Sequence, residues 1–246
     1  MPRILFSSQE KGGVGKTTIV RALAEAVEGA PIIEIDASHR LLELKDRVSF
    51  FQMRADREAI ERTGGRAARA EFDAVLDVLS QATLPTIVDV GANTSVSLFT
   101  MLADVAPELA AEFAVCVVVT NEPGAMSETP KLLDLSRSWT KARFVVENRL
   151  HGNIDPNWLQ TNVGDATVVT LDAQFLEEGA QDYLQSGGLA IVDRLNPRKL
   201  REAHGIGPAI RIQRDLAKFR LEAMRAVRPA AEWLVGRPPW RCSRRT

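Results

Sequence analysis

The apolar run Ile4-Leu5-Phe6 leads into Lys11-Gly12-Gly13-Val14-Gly15-Lys16-Thr17-Thr18, and a helix-forming segment from Ile19 to Glu28 follows. No other stretch limits the fold so tightly. A chain that leaves a strand, turns through glycines and enters a helix aims its amide hydrogens at one point, and only glycine lets the backbone approach an anion that closely. The stretch reads as a phosphate-binding loop. Gly12, Gly13, Val14 and Gly15 supply amides, Lys16 carries charge to the β- and γ-phosphates, Thr17 offers its hydroxyl to a magnesium ion, and Thr18 bonds within the first helical turn. An incidental glycine turn would not bring strand, loop, lysine and hydroxyl into this order. The general pattern asks for glycine where Glu10 stands, so what the chain carries is K-G-G-x-G-K-T-T, opened by a second lysine, Lys11.

Around this loop, apolar runs bounded by turn residues alternate with longer amphipathic stretches, the signature of strands and helices wound into a parallel sheet. Strands are expected near Arg3–Ser7, Pro31–Asp36, Thr86–Val90, Phe113–Thr120, Arg143–Glu147 and Thr167–Leu171. Helices are expected over 16–28, 54–63, 66–82, 95–111, 127–141, 173–186, 197–204 and 207–228. The fold class is α/β, a doubly wound, mostly parallel sheet with helices on both faces. With 246 residues the chain is long enough for a substantial core. It is expected to form one domain over 1–235, which includes a basic C-terminal helix at about 207–228, and to end in a flexible basic tail over 236–246.

Composition excludes several classes. No run approaches the ~18 consecutive apolar residues that a membrane span requires, and Met1-Pro2-Arg3 does not lead into a signal peptide, so a cytoplasmic location is expected. Cys116 lies mid-strand and Cys242 in the tail, while His39, His151 and His204 are scattered, so none has metal-ligand spacing. The net charge of −1 hides a polarity: residues 1–193 hold 17 Lys and Arg against 28 Asp and Glu, whereas residues 194–246 hold 14 against 4.

The second expected strand ends in Glu34-Ile35-Asp36, at the same sheet edge as the glycine loop, where ligands of open α/β sheets sit. Asp36, last before the turn, is the better placed of the two acids to meet phosphate-bound water, though a carboxylate there could also only cap the next turn. Thr86-Ile87-Val88-Asp89-Val90-Gly91 is an apolar run ending in an acid that would hold magnesium through water, a pattern that acquires meaning from its position after the loop. Gly91-Ala92-Asn93-Thr94 would then be a second segment able to sense the γ-phosphate through its backbone. Thr120-Asn121-Glu122-Pro123 and Glu147-Asn148-Arg149 close the next two strands, and an asparagine at such an end is often a turn former.

The deviant loop, followed by these landmarks in order over about 1–185, resembles the ParA/MinD family of P-loop ATPases. Gly91-Ala92-Asn93-Thr94-Ser95 through Leu98, together with the chain length, looks most like the TraL-type conjugal-transfer ATPases. The resemblance implies an ATP- and Mg2+-dependent switch that hydrolyses slowly, dimerises around nucleotide, and answers to a partner protein that stimulates hydrolysis. It assigns Asp36 the orientation of the attacking water, although the first acid here is Glu34 and the family's usual following proline is Ala37. It assigns Asn148 the adenine edge. It gives Lys11 the role of a lysine reaching the partner's phosphates in trans, where a cation stabilises charge that spreads over the γ-phosphate during transfer.

From Ile206 to Arg228, Ile212, Leu216, Phe219, Ala223 and Val227 fall on one stripe at ~100° per residue, and Arg211, Arg214, Lys218, Arg225 and Arg228 gather on the far side. Such a face would bind DNA through its phosphates without sequence preference, as ParA-like proteins do near their C-termini. A solvated helix face or an acidic protein partner would use the same residues. Membrane attachment through Trp233 and Trp240 ranks below both, because Pro238-Pro239 interrupts any helix there. The implied setting is plasmid or chromosome partition or conjugal DNA transfer. Two other classes stay open: a small-molecule kinase or ligase of the dethiobiotin-synthetase type, and a nucleotide-gated adaptor without turnover. A nitrogenase iron protein would need cluster-ligating loop cysteines, which this chain lacks.

Overall fold

The computed structural model describes residues 1–53 and 66–236. Among them seven strands form one sheet: β1 (Arg3–Ser8), β2 (Ile32–Asp36), β3 (Val48–Gln52), β4 (Thr86–Val90), β5 (Glu112–Val119), β6 (Ala142–Asn148) and β7 (Thr167–Leu171). Their order is β3-β2-β4-β1-β5-β6-β7, and every pair is parallel. The helices between them are α1 (Lys16–Ala26), α2 (Arg66–Ser80), α3 (Ser95–Val105), α4 (Pro123–Ser136), α5 (Pro156–Asn162), α6 (Glu178–Gly187), α7 (Ile191–Arg194), α8 (Pro197–His204) and α9 (Ile206–Leu234). The fold is the doubly wound α/β sheet.

β1 is central because its residues from Ile4 to Ser8 are buried, and β5 beside it is buried from Phe113 to Val119. A strand covered by helices on both faces has no need of polar alternation. On one side Phe6 meets Phe99 of α3 and Trp139 just beyond α4, with centroids 6.2 Å and 5.6 Å away, edge to face in both cases. Cys116, in register with Ser7 on the opposite face of the sheet, is also buried, which pushes its thiol up to about 12 and makes it inert. From β1 the chain crosses to β2 on one side, while β5, β6 and β7 extend the sheet on the other. The loop after β1 therefore opens where the strand order reverses, the usual ligand crevice of such sheets.

The six expected strands are present, and β3 is an addition. Among the described residues Val48-Ser49-Phe50-Phe51-Gln52 pairs only with β2 and is half exposed at the sheet edge, so it lacks the apolar run that marks the inner strands. The helix expected at 127–141 lies at Pro123–Ser136, because Pro123 fits the first helical turn. The one expected at 95–111 stops at Val105 and tightens into a 3-10 turn at Ala106–Glu108, which contains Pro107. The one expected at 173–186 begins at Glu178, and α9 runs on to Leu234 with Pro229 inside it. α5, capped by Asp155, and the short α7 were not expected. The helix expected at 54–63 and nearly all of the expected tail lie outside the described residues. No helix among the described residues is long and apolar enough to cross a membrane.

Candidate functional site

The backbone turns from β1 into α1 through Gly13 and Gly15, with φ of 80° and 96°, in the left-handed region that a Cβ strains. The loop, Thr17 and Thr18 at the head of α1, Asp36 at the end of β2, Arg40 beyond it, and Ala92 beyond β4 line an open cavity of about 230 Å³. Lys16 is buried in its floor, and its Nζ donates to the carbonyls of Gln9 at 2.8 Å and Lys11 at 3.1 Å. Burial lowers the pKa of this ammonium, while Asp89, Asp36 and Glu10 nearby pull the other way. A lysine held by backbone carbonyls in a glycine cradle is charge awaiting an anion.

Asp89, the last acid of β4, is also buried. Burial pushes its carboxyl up to about 7, opposed by Lys16 and by a hydrogen bond with the Thr17 side chain, and reinforced by Glu34 and Asp36. Thr17 and Asp89 thus sit together beneath the cradle, and a divalent cation joined to them would relieve the buried acid of its need for a proton. No cluster of three or more His, Cys, Asp or Glu among the described residues would hold a metal unaided. The donor set fits a cation that also takes oxygens from a nucleotide.

Asp36 reaches the cavity, but its Oδ1 accepts from Ala37 N–H at 2.6 Å and its Oδ2 lies 3.2 Å from Arg40 Nε. In this state it caps its own turn, the bland alternative for that residue. Glu34 does different work: buried, it accepts from Arg40 N–H at 2.6 Å and pairs with His39, so it fixes the loop after β2. Gly91 is forced by proximity, since its N–H donates to Ile35 O at 2.6 Å and a Cβ there would stand 2.9 Å from Asp36 Cγ.

Lys11 stands outside the cavity lining. Half exposed, its Nζ is 3.7 Å from Glu122 Oε2, and His151 lies 3.2 Å from the other oxygen of Glu122. Asn148 is buried, and its Nδ2 donates to Val14 O at 2.8 Å, which clamps the glycine loop from β6. Two further residues of the site have no assigned role in the sequence pattern. Gln9, fully buried, donates through Nε2 to Val118 O, Ala125 O and Thr129 Oγ1, each at 3.1 Å, and so fixes the root of the loop to β5 and α4. Glu10 accepts from Val96 N–H at 2.7 Å, and burial raises its pKa despite that bond. Its place where the loop pattern asks for glycine is the one available signal.

At the far end, Ile212, Leu216, Ala223 and Val227 of α9 are buried, and Arg211, Arg214, Lys218, Arg225 and Arg228 are exposed. Several of these cations have acids at hand: Arg211 pairs with Glu177, Arg225 with Glu222 and Arg228 with Glu232. The exposed side also bears Ile206, Ile210 and Leu221, which helical spacing puts on one stripe beside the cations. The side that carries the cations is therefore also partly apolar.

No family model matches the chain, and no curated protein matches it. Solved structures do. A ParA family ATPase from Chlorobium tepidum TLS is 14% identical over 89% of this chain and 98% of its own, with a TM-score of 0.48. The MinD cell division protein of Aquifex aeolicus is 17% identical over 89% and 97%, with a TM-score of 0.48. A variant of Cyanothece McdA in complex with ATP is 14% identical over 88% and 96%, with a TM-score of 0.43. Likenesses this distant leave the functional reading to the chain's own residues.

Proposed function

We propose that this chain is an ATP-binding, magnesium-dependent switch that hydrolyses ATP slowly, dimerises with ATP bound, and serves DNA partition or conjugal transfer. The observation that carries the reading is the buried Lys16, held by Gln9 and Lys11 carbonyls inside a glycine turn with Thr17 and Asp89 beneath it. Phosphate oxygens would replace those carbonyls at Nζ and collect the amides from Gly12 to Thr18. A magnesium ion, when bound, would neutralise charge between the phosphates, and Thr17 and Asp89 are the side chains that would hold it. The Asn148 amide nitrogen is committed to Val14, so its Oδ1 would accept from the adenine amino group.

Asp36 would orient water only after parting from Ala37 N–H and Arg40, which makes slow turnover the expectation for the free chain. Lys11 is held by one long, exposed ion pair with Glu122, worth little, so it is free to reach across a dimer toward a partner's phosphates. The exposed cations of α9 would then meet duplex DNA, and doubling them in a dimer would steepen both affinity and salt dependence. A partner protein that stimulates turnover belongs to the same reading.

The test is calorimetry with ATP and Mg2+, followed by light scattering with ATP, with ADP and without nucleotide, for the wild type and Lys11→Ala. Micromolar binding to both chains, with an ATP-dependent dimer and hydrolysis only in the wild type, is the expected result. A wild type indifferent to ATP overturns the reading. Binding without turnover or dimerisation moves it to a nucleotide-gated adaptor.

A further inference from the structure

α3 begins without a cap of its own. Thr94, at its N-cap, makes no side-chain capping bond, and no acid stands in its first turn. The open N–H groups of a helix start need an acceptor and favour negative charge. That acceptor comes from 86 positions upstream, where Glu10 Oε1 takes the Val96 N–H at 2.7 Å. The Glu10 main-chain carbonyl also accepts from Asn93 N–H at 3.1 Å. Asn93 has φ of 60°, the one positive value at a non-glycine residue among the described residues. A backbone held in a sparsely populated region needs surroundings that fix it, and here Glu10 supplies part of them.

Glu10 is anchored on its other side as well. Its N–H donates to Gln9 Oε1 at 2.9 Å, and Gln9 is fixed to β5 and α4. One residue thus joins the root of the phosphate loop to the segment 91–95 and to the head of α3. Glycine, which the general loop pattern has at this position, offers no side-chain acceptor.

We propose that Glu10 is a positioning residue that caps α3 from the root of the phosphate loop and ties segment 91–95 to that loop, so that the two move as one unit. The nucleotide part of this rests on the ATP reading above; the tie itself belongs to the free chain. When phosphate draws the glycine loop inward, segment 91–95 and α3 follow through Glu10.

Hydrogen exchange of the full chain, read on peptides covering 92–98 and 11–18, tests it in the wild type, Glu10→Gln and Glu10→Ala, with and without a non-hydrolysable ATP analogue and Mg2+. In the free chain, exchange at 92–98 should rise about tenfold in Glu10→Ala, the size of a lost cap, and stay near wild type in Glu10→Gln, whose amide oxygen still accepts. With nucleotide, both peptides should gain protection in the wild type and Glu10→Gln, whereas Glu10→Ala should gain it only at 11–18. Unchanged exchange at 92–98 in free Glu10→Ala overturns the tie, and so does nucleotide-dependent protection of 92–98 that survives in that variant. If the wild type binds no nucleotide, the ATP reading has failed and the free-chain comparison alone decides. Should Glu10→Ala fail to fold, Glu10→Ser, too short to reach Val96, takes its place.

Discussion

The carboxyl edge of the sheet and the outer face of α9 both concentrate charge, in opposite ways. At the edge the charges are few, buried and poorly matched: Lys16 rests on carbonyls, and burial displaces Lys16, Asp89 and Glu10 toward their neutral forms. On α9 the charges are many, exposed, and several are partnered nearby, as Arg225 is by Glu222 and Arg228 by Glu232. In a low dielectric a single unmatched charge makes a site, whereas in water single charges are worth little and act only in sum. The first region should therefore answer to single substitutions and the second only to combined ones.

The largest effect expected from that contrast is at Lys16. Lys16→Ala should lower ATP affinity by about a hundredfold or more, the scale of a lost charge-assisted contact in a buried site, as read by calorimetry. Single changes of Arg211, Arg214 or Lys218 to Ala should shift duplex-DNA affinity no more than about threefold at low salt. The three changed together to Glu should abolish it and leave ATP affinity intact. A lone arginine on α9 that carried the whole effect would break the comparison, because it would mark a built site on what the structure shows as a distributed face.

The two regions also differ in how far the sequence discloses them. The phosphate loop is legible because backbone conformation dictates glycine at Gly13 and Gly15 and chemistry dictates Lys16 and Thr17. Inner strands such as β5 are legible because burial on both faces leaves a continuous apolar run. β3 is not, because an edge strand needs only one covered face and Val48–Gln52 has neither a clean run nor a clean alternation. Within the site, Asp36 and Asn148 stand out as polar residues at strand ends, yet their partners, Arg40 and Val14 O, are set by loop geometry that no local pattern encodes. Glu10 is visible only as a departure from a pattern, since its partner Val96 is distant in sequence. On α9 the periodicity marks the buried stripe, but it cannot say that Ile206, Ile210 and Leu221 stay uncovered.

A pH series sharpens the contrast at the edge. The folded pKa of Asp89 lies near 7, above an ordinary carboxyl, so the folded chain holds a proton that the unfolded chain releases. Stability from this group is present below the unfolded value near 4 and is lost as pH rises toward about 7. Asp89→Asn removes that loss. Its melting temperature should match the wild type near pH 4 and exceed it by several degrees at pH 8, while the stabilisation that Mg2+ adds to that of ATP alone should shrink in the variant. A gap that narrows as pH rises would place the burden on another group.

The smallest effect is expected where the comparison is most exposed to correction. Ile206, Ile210 and Leu221 are 70%, 54% and 50% exposed and lie along the cationic face of α9. Replacing all three with Gln removes little buried area, so the melting temperature should move by no more than about 2 °C. If the face acts through charge alone, the salt slope and affinity for duplex DNA should both stay within about twofold of wild type, because phosphate attraction is indifferent to those side chains. A clear loss of affinity with an unchanged salt slope would show that the face also uses apolar contact. α9 would then resemble the sheet edge after all, as a surface where particular side chains decide binding.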